Sequence, residues 1–377
     1  MPNKLKLVHF TYSWISSGVS SFLSSITQEL TDDFDQTIVV WDDRGSVFDE
    51  EIRNAGVEIH PLCKGRAHGI ADLPAACLAF RFYLKKHRPD IVHLHCSTSL
   101  ELKLLEVAKQ EHVPVRISHC HNAGFEGSRL AKYLKKEIHI SRKEDFADAP
   151  TLRLACSDDA GKWLYNEGEV FTVIKNPVNV ERFLYSDEKR NALRDELGLG
   201  DSFVFCCTGR LSEQKNQKLL ISAFARYHQK RPDSELLLAG DGPDRGALQR
   251  QSDELGVDHC VHFLGTVPDV GAVLSASDAY VLPSVYEGFG TAALEAETNG
   301  LPCLLSEAVS KAADVQNSAI WLSPQASAVL WSDGLDIIRS RSRYDGLPAI
   351  LNSGFTKEKV ASHLARLYHS ALEKIDR

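Results

Sequence analysis

The sequence predicts an α/β protein built from two doubly wound domains that face each other across a cleft. Its 377 residues suit two domains of about 150–200 residues each. Strand-like apolar runs alternate with amphipathic helical segments, which is typical of parallel sheets covered on both faces. This rhythm stops at Lys175-Asn176-Pro177-Val178-Asn179 and then starts again. We therefore place the boundary near 178–200, with a first domain at 1–180, a second at 181–355 and a last segment at 356–377 that can pack back on the first domain.

The first domain opens with a strand at Leu5–Phe10, a Ser/Gly loop that ends at Gly18, and a helix. That helix carries apolar residues at helical spacing on one face, namely Val19, Phe22, Leu23, Ile26 and Leu30. Four more strands are expected at Thr37–Trp41, Ile91–His95, Val115–Cys120 and Leu152–Cys156, with helices at 72–88 and 100–111.

The second domain repeats the pattern after a polar helix at 187–197. Its short buried strands are predicted at Phe203–Thr208, Glu235–Gly240, Val261–Leu264, Ala279–Pro283 and Cys303–Ser306, and its helices include 216–231. The last segment is predicted to form one more amphipathic helix at 356–374. Folds of this kind bind ligands at the carboxyl ends of their strands.

Composition excludes several classes of protein. The 43 Lys and Arg against 51 Asp and Glu give a net charge of −8, the wrong sign for a protein whose main partner is nucleic acid. The nine cysteines form no CxxC pair, which argues against a disulfide framework or a thiolate zinc site and favours a reducing cytoplasm. The sequence shows neither a signal-peptide pattern nor an apolar run of spanning length. We expect a cytoplasmic protein that can also sit at the inner face of the plasma membrane.

Two common phosphate signatures fit poorly. The segment Gly240-Asp241-Gly242-Pro243-Asp244-Arg245-Gly246 follows a strand, but its third glycine comes one residue late for a dinucleotide fingerprint. Gly161-Lys162 is followed by Trp163 rather than Ser or Thr, which excludes a P-loop. The simpler interpretation of GDGP is a strand-to-helix turn with Pro243 at the first helical position.

The most informative stretch runs from Val281 to Glu297. A strand ends, a glycine loop follows, and Thr291 opens a helix, whose unpaired N–H groups suit a diphosphate. Glu287 precedes that helix start and Glu295 lies about one turn inside it. Two carboxylates flanking an anion could accept the hydroxyls on both sides of a sugar nucleotide. Alternatively, Glu295 merely favours the helix N-terminus electrostatically.

A second group of polar residues follows the strand Phe203–Thr208 directly. Arg210 and Lys215 lie in its GRLSEQKN segment, where two cations could neutralise a diphosphate and stabilise it as a leaving group. The alternative is that both are solvated loop residues.

At this point the sequence resembles the retaining glycosyltransferases of family 4, which have the GT-B fold of two Rossmann-like domains. In the second half the resemblance rests on GRLSEQKN, LLLAGDGP, VHFLGTV and SVYEGFGTAALEAETNGLP, and in the first on SSGVSSFL, ACSDDAGKWLY and VIKNPVNVERF. The similarity spans essentially the whole chain and is nearest to bacterial enzymes that build exopolysaccharide or capsule units. Two departures are Ser17, where the family often has a glycine, and Lys175-Asn176-Pro177-Val178 in place of Asn-Gly-Ile/Val.

The resemblance implies a role for each matching position. Arg210 and Lys215 would hold the donor diphosphate, with help from the backbone of Gly18 and of Gly288, Phe289, Gly290 and Thr291. Glu287 would bind hydroxyls of the transferred sugar, Glu295 would bind the ribose, and the backbone around Phe263 and Leu264 would meet the base. The reaction would retain the anomeric configuration through a same-face mechanism.

Two pairs of histidines lie near the ends of strands, at His93-x-His95 and His119-Cys120-His121. Because residues two apart share a strand face, a metal site has to be considered, but no carboxylate or thiolate lies at ligand spacing. The family places a histidine against the donor sugar, with His121 the first choice and His119 the second. The DxD at Asp33-Phe34-Asp35 is interpreted as solvated surface. We therefore expect no metal and no cofactor beyond the nucleotide-sugar substrate, with UDP as the favoured nucleotide.

The acceptor should lie on the first domain, where residues 129–143 form a basic amphipathic segment. Its cations are interleaved with apolar residues: Arg129, Lys132, Lys135, Lys136, Arg142 and Lys143 among Leu130, Tyr133, Leu134 and Ile138. This pattern suits an anionic membrane surface and a glycan or lipid-linked acceptor, although a solvated charged helix would look the same. Two further hypotheses stay open: transfer to a small soluble acceptor, and a non-catalytic subunit that only binds nucleotide sugars.

Overall fold

The chain divides into two units, Met1–Pro177 together with Phe355–Arg377, and Val178–Gly354. The computed structural model describes residues 4–63, 69–122, 124–125 and 129–375, without the side chains of residues 69–70 and 129–131.

The first unit contains a parallel sheet whose strands occur in the order β3-β2-β1-β4-β5-β6-β7. The strands are β1 (Leu5–Trp14), β2 (Phe34–Asp43), β3 (Glu58–Pro61), β4 (Ile91–Cys96), β5 (Val115–Cys120), β6 (Leu152–Ala155) and β7 (Thr172–Val173). The helices between them are α1 (Gly18–Leu30), α2 (Asp49–Asn54), α3 (Leu73–His87), α4 (Lys103–Gln110), α5 (Arg129–Ser141) and α6 (Asp158–Leu164).

The second unit contains a parallel sheet of order β10-β9-β8-β11-β12-β13. Its strands are β8 (Phe203–Thr208), β9 (Ser234–Ala239), β10 (Val261–Gly265), β11 (Ala279–Leu282), β12 (Cys303–Ser306) and β13 (Ile320–Leu322). Its helices are α7 (Val180–Phe183), α8 (Asp187–Leu197), α9 (Gln217–His228), α10 (Arg245–Glu254), α11 (Val270–Ala276), α12 (Thr291–Thr298), α13 (Ala328–Arg339) and α14 (Leu347–Ser353).

The last helix, α15 (Lys357–Glu373), returns to the first unit and completes its core. Leu364 and Tyr368 are fully buried there, and the Tyr368 ring packs edge-on against Phe34 with 5.4 Å between ring centroids. Lys357 pairs with Glu29 of α1 at 3.5 Å. The apolar face of α15 thus covers the sheet in the way that α1 does.

The predicted α/β architecture is confirmed, and the differences are local. The sequence did not predict β3, β7 and β13, which have only two to four residues each and therefore carry little alternation to detect. The assignment of Pro243 to the first position of a helix is wrong. Helix α10 begins at Arg245 with Asp244 as its N-cap, because the backbone of Gly242 first packs against Leu211.

In each sheet the strand order reverses once, between β1 and β4 and between β8 and β11. The helices that follow two such neighbours leave to opposite faces, which opens a crevice at the carboxyl ends of the strands. These two reversal points are where each unit is shaped to receive a ligand. Asp33 and Asp35, in contrast, lie at the amino end of β2, where both are exposed.

Three arginines tie the second unit together at the amino edge of its sheet. Arg343 donates to the carbonyls of Leu274 and Ser277 at 3.2 and 2.6 Å, and Arg190 and Arg194 donate to neighbouring carbonyls at the end of α11. They line a cavity of about 780 Å³. Since their N–H groups already hold carbonyl oxygens, their role is to cap the carboxyl end of α11.

None of the helices described is long and apolar enough to cross a membrane. All nine cysteines are unpaired, and every one except Cys63 is buried.

Candidate functional site

The loops that follow β8 and β11 are joined at the reversal point of the second sheet. Val285 N–H donates to the Gln214 carbonyl at 2.8 Å, and the Gln214 side chain donates to the Tyr286 carbonyl at 3.1 Å. The Asn216 amide donates to the Pro283 carbonyl at 3.2 Å. Because β8 and β11 are neighbours, two segments that are 72 residues apart in sequence form one surface.

Lys215 and Glu287 form the charged centre of that surface. Lys215 Nζ lies 2.7 Å from Glu287 Oε1, and the two side chains are only 15% and 8% exposed. The Ser284 hydroxyl donates to the same oxygen at 2.6 Å. Burial by itself would lower the pKa of Lys215, but the ion pair with Glu287 outweighs it and raises that pKa. The lysine is therefore a fixed cation in a partly desolvated position, where its charge acts strongly on a nearby anion.

Glycines let the loops after β8 and β9 approach each other closely. A Cβ on Gly240 would lie 2.0 Å from the Gly209 carbonyl oxygen, and one on Gly242 would lie 2.2 Å from that of Leu211. Gly240 also has φ +141°, a conformation that L-residues rarely adopt. The GDGP turn is thus explained by close packing of the loops after β8 and β9.

The amino end of α12 faces the same edge of the sheet. Gly290, its N-cap, has φ +93°, and a Cβ there would lie 2.6 Å from Val309 Cγ1. Thr291 opens the helix, and Glu295 lies one turn further on. Burial raises the pKa of Glu295 to about 7, against the opposing effect of Arg182 and Lys215. This carboxylate therefore changes its charge near neutral pH, which is common at functional sites.

The remaining predicted residues of the second unit lie on either side of these groups. Arg210 is exposed, directly after β8. Phe263 and Leu264 belong to the edge strand β10, whose pairing with β9 skips Leu264. A skipped position leaves backbone groups outside the ladder, and the Phe263 carbonyl instead accepts from Arg245 at 3.3 Å. The structure brings Lys215, Glu287 and the start of α12 to one reversal point, while Phe263 and Leu264 lie two strands away.

In the first unit, Gly18 is the first residue of α1. Ser17 caps the helix, and the Ser17 and Ser20 side chains each bond the other's backbone N–H. This reciprocal capping explains why serine stands where the family often has glycine. Gly18 is exposed, and no atom of the described residues lies within 4 Å of the position that its Cβ would occupy. Within the described part of the chain, a ligand can therefore approach the backbone at the start of α1.

His119 lies near the end of β5, which pairs with β4, and His121 directly follows that strand. The two side chains differ sharply in their access to solvent. His119 is fully buried and bonds His93 at 3.2 Å. His121 keeps some exposed surface and bonds His95 through Nε2 at 2.9 Å. Of the two predicted histidines, His121 is the one that a ligand can reach. The sequence analysis did not identify His9 of β1, which bonds His95 at 3.1 Å. In a doubly wound sheet β1 lies next to β4, so a histidine in β1 could have been expected beside the histidines of β4.

Three groups of side chains in the described part of the chain have donor atoms close enough to share a metal ion. They are His9 with His93 and His95, His95 with His119 and His121, and His228 with His259 and Cys260. None contains a carboxylate. In the first two groups the rings already bond one another.

Helix α5 presents exposed apolar and basic side chains together. Tyr133, Leu134 and Ile138 are 60%, 52% and 48% exposed, and Lys135 and Lys136 are exposed beside them. The helix is anchored by the buried His139, which accepts from Ser99 N–H at 2.9 Å and bonds the Trp163 carbonyl at 2.8 Å.

Two of the predicted cations of this segment bond neighbouring residues. Arg142 pairs with Asp145 at 2.8 Å, and Lys143 donates to the Lys162 and Tyr165 carbonyls at 3.1 Å each. The side chains of Arg129 and Leu130 lie outside the described part. The outward-facing basic and apolar surface is therefore centred on 133–138.

Comparison with known proteins gives consistent matches in both halves. Residues 16–182 match the family model described as Glycosyltransferase Family 4, and residues 189–338 match Glycosyl transferases group 1. EpsF of Bacillus subtilis, described as a glycosyltransferase, is 25% identical over 305 residues, which cover 77% of this chain and 78% of EpsF.

A second relative is the Escherichia coli UDP-Gal:alpha-D-GlcNAc-diphosphoundecaprenol alpha-1,3-galactosyltransferase. It is 34% identical over 235 residues, and the alignment spans 59% of each chain. Among solved structures, Anabaena HepE in complex with UDP and glucose superposes with a TM-score of 0.79 at 19% identity, covering 97% of this chain and 100% of HepE. That likeness concerns the fold.

Proposed function

Because the chain belongs to the family 4 glycosyltransferases and has the GT-B fold, we propose that it moves a hexose from a UDP-linked donor to a glycan or lipid-linked acceptor, with retention at the anomeric carbon. We place the acceptor in cell-surface polysaccharide synthesis. The name of the Escherichia coli relative gives it a diphosphoundecaprenol-linked acceptor, and the structural neighbour WaaG is described as involved in lipopolysaccharide biosynthesis. The observation that carries the donor assignment is the buried Lys215–Glu287 pair beside the start of α12.

Each charged group has a distinct part in the proposed reaction. Breaking the bond between sugar and diphosphate builds negative charge on the leaving group. Lys215, Arg210 and the amino end of α12 offset that charge, and a cation held in a partly desolvated site does so without rearranging. Glu287 keeps one carboxylate oxygen clear of Lys215 and Ser284, which both bond Oε1. That second oxygen accepts hydroxyls of the transferred sugar.

Glu295 accepts the ribose hydroxyls, Phe263 and Leu264 meet the base through their backbone, and Gly18 lets a phosphate approach α1. His121 bonds a sugar hydroxyl. We expect no dependence on a divalent metal, since Asp33 and Asp35 lie at the amino end of β2, away from the carboxyl ends of the strands.

A panel of nucleotide sugars in a thermal-shift assay tests the donor assignment. Specific stabilisation by one UDP-sugar is expected, by the linkage between binding and unfolding, followed by turnover of that donor. Lys215→Met should abolish both, whereas Lys218→Met, an exposed lysine on α9, should change neither. Stabilisation by NAD alone would contradict the proposal. Binding without any turnover by the wild type would instead favour the non-catalytic hypothesis.

The acceptor proposal rests on α5. Exposed Tyr133, Leu134 and Ile138 with Lys135 and Lys136 provide the apolar insertion and positive charge that an anionic lipid surface binds. In liposome flotation, more protein should float with anionic than with neutral vesicles. Replacing the three apolar residues by serine should remove that difference.

The matched control for α5 is α13. Its exposed Val329, Leu330 and Ile337 lie beside Asp333 and Asp336, so the same serine substitutions there should leave flotation unchanged. Equal recovery of the wild type with both kinds of vesicle would remove the membrane proposal and favour a soluble acceptor.

A further inference from the structure

Five histidines of the first unit form two hydrogen-bonded rows behind the strand ends. One row runs from His9 Nδ1 to His95 Nε2 at 3.1 Å and from His95 Nδ1 to His121 Nε2 at 2.9 Å. The other joins Tyr368 to His93 at 2.7 Å and His93 to His119 at 3.2 Å. Only the first row ends at a residue with exposed surface, His121.

Gln36 sets the direction of the first row. Its Nε2 donates to the Thr27 carbonyl at 2.8 Å, so its Oε1 must be the atom turned toward His9. Among the described residues, Gln36 Oε1 and His9 Nε2 are both buried polar atoms that lack a hydrogen bond of ordinary geometry. The interaction between these two side chains opposes the lowering of the His9 pKa by burial, so each atom is the partner that the other lacks. Since an amide oxygen only accepts, His9 must carry its proton on Nε2.

That single proton position propagates along the row. Burial lowers the pKa of His9 to about 3, that of His121 to about 3, and that of His95 well below its usual value, so each ring holds one proton. His9 Nδ1 then accepts from His95 Nε2–H. His95 Nδ1 in turn accepts from His121 Nε2–H. The remaining nitrogen of His121, Nδ1, carries a lone pair.

We propose that Gln36, acting through His9 and His95, holds His121 as the Nε2–H tautomer so that its Nδ1 accepts a hydrogen bond from a hydroxyl of a bound sugar. Gln36, His9 and His95 are then positioning residues. The sugar contact rests on the proposed function, whereas the tautomer does not. Nδ1 of His121 has no hydrogen bond to the described residues, and it is not one of the buried polar atoms that lack a partner. It is therefore available to a ligand.

The second row cannot serve this purpose. In the described part of the chain His119 Nε2 is buried without a partner, and the whole residue is fully buried, whereas His121 keeps exposed surface. A metal ion shared by His95, His119 and His121 is the competing interpretation. It would displace the hydrogen bond between His95 and His121 and bury a dication with no carboxylate among its ligands.

The tautomers can be observed directly by long-range proton–nitrogen correlation NMR on protein labelled with ¹⁵N-histidine, assigned by single histidine variants. We expect Nε2–H on His9, His95 and His121 in the wild type. Nδ1–H on His121 would overturn the proposal, whatever the enzyme transfers. Stoichiometric Zn²⁺ in the isolated protein, or ¹⁵N shifts of His95 and His121 on adding Zn²⁺, would overturn it in favour of the metal site.

Substitutions of Gln36 distinguish a role in setting the His121 tautomer from a role that is limited to the stability of the fold. Gln36→Leu removes the acceptor, so the Nε2–H population of His121 should fall toward about half. The kcat/KM for the donor should then fall about twofold, in proportion to the fraction of enzyme that holds the competent tautomer. Gln36→Glu in its neutral acid form, whose O–H donates to the Thr27 carbonyl in place of the amide, keeps an acceptor oxygen toward His9 and should restore both. Tyr368→Phe, which cuts only the second row, is the matched control and should leave the His121 tautomer unchanged.

The two parts of the proposal fail differently. Wild-type Nε2–H with no kinetic effect of Gln36→Leu would overturn the sugar contact. Nε2–H in a protein that turns over no donor would contradict the proposed function while supporting the tautomer assignment.

Discussion

The affinity for the nucleotide-sugar donor should rise with pH through neutrality because of Glu295. Its pKa in the free protein is raised to about 7 by burial. The ionised fraction therefore grows from about one-tenth at pH 6 to about nine-tenths at pH 8. If only the carboxylate accepts the ribose hydroxyls, the association constant should increase about ninefold over that range, with proton release on binding at pH 7.

Calorimetry of donor binding between pH 6 and pH 8 measures the change in the association constant. Repeating it at pH 7 in two buffers of different ionisation enthalpy measures the number of protons released on binding. A nucleotide sugar is suited to this assay because both of its phosphates are esterified and do not titrate in the range. Glu295→Gln should bind with little pH dependence. Glu297→Gln is the matched control: Glu297 lies on the same helix and its pKa is raised to about 8 by burial, but it accepts from Gln316 N–H at 3.3 Å, away from Glu295. An affinity that changes less than twofold in the wild type, or equally in Glu295→Gln, would refute the reasoning.

Three further substitutions test ligand access to α1 and the packing of the second unit. Gly18→Ala should leave the melting temperature within a few degrees, since its Cβ meets nothing within 4 Å, yet weaken donor binding measured by calorimetry; unchanged affinity would show that no phosphate approaches α1. Gly240→Ala should cost about 3 kcal/mol or more of unfolding free energy in urea, because its Cβ would lie 2.0 Å from the Gly209 carbonyl oxygen. Arg343→Met should cost about 3 kcal/mol of unfolding free energy in urea because it leaves buried carbonyls at the end of α11 without a hydrogen-bond donor. A loss below about 1 kcal/mol would show that water replaces the guanidinium.

The long strands and helices could be predicted because each carries several residues of a clear period. The helix at 187–197 and the strands at Val115–Cys120, Phe203–Thr208 and Cys303–Ser306 have the predicted bounds. The edge strands β3 and β13 could not be predicted, because none of their residues is fully buried and so they show no clear apolar pattern. In addition, β3 ends in Pro61. Such strands exist because a neighbouring strand offers unpaired backbone groups, which is a property of the assembled sheet.

The candidate site was predictable to the extent that its residues follow strands. Lys215 and Glu287 were expected at one edge because their strands end there, but their mutual 2.7 Å contact depends on β8 and β11 being neighbours. The direction of the histidine row could not be predicted. It is decided by Gln36, whose amide is oriented by the Thr27 carbonyl, and no local pattern links that glutamine to His121.

The return of α15 to the first unit has a consequence for synthesis on the ribosome. Val178–Gly354 is one continuous stretch, so the second unit can fold as soon as it has emerged. The first unit begins earlier but lacks Leu364 and Tyr368 until nearly the whole chain has been made, and the Tyr368–His93 bond joins residues 275 positions apart. During elongation the sheet of the first unit therefore exposes the apolar surface that α15 later covers, which makes this nascent unit the natural target for chaperones.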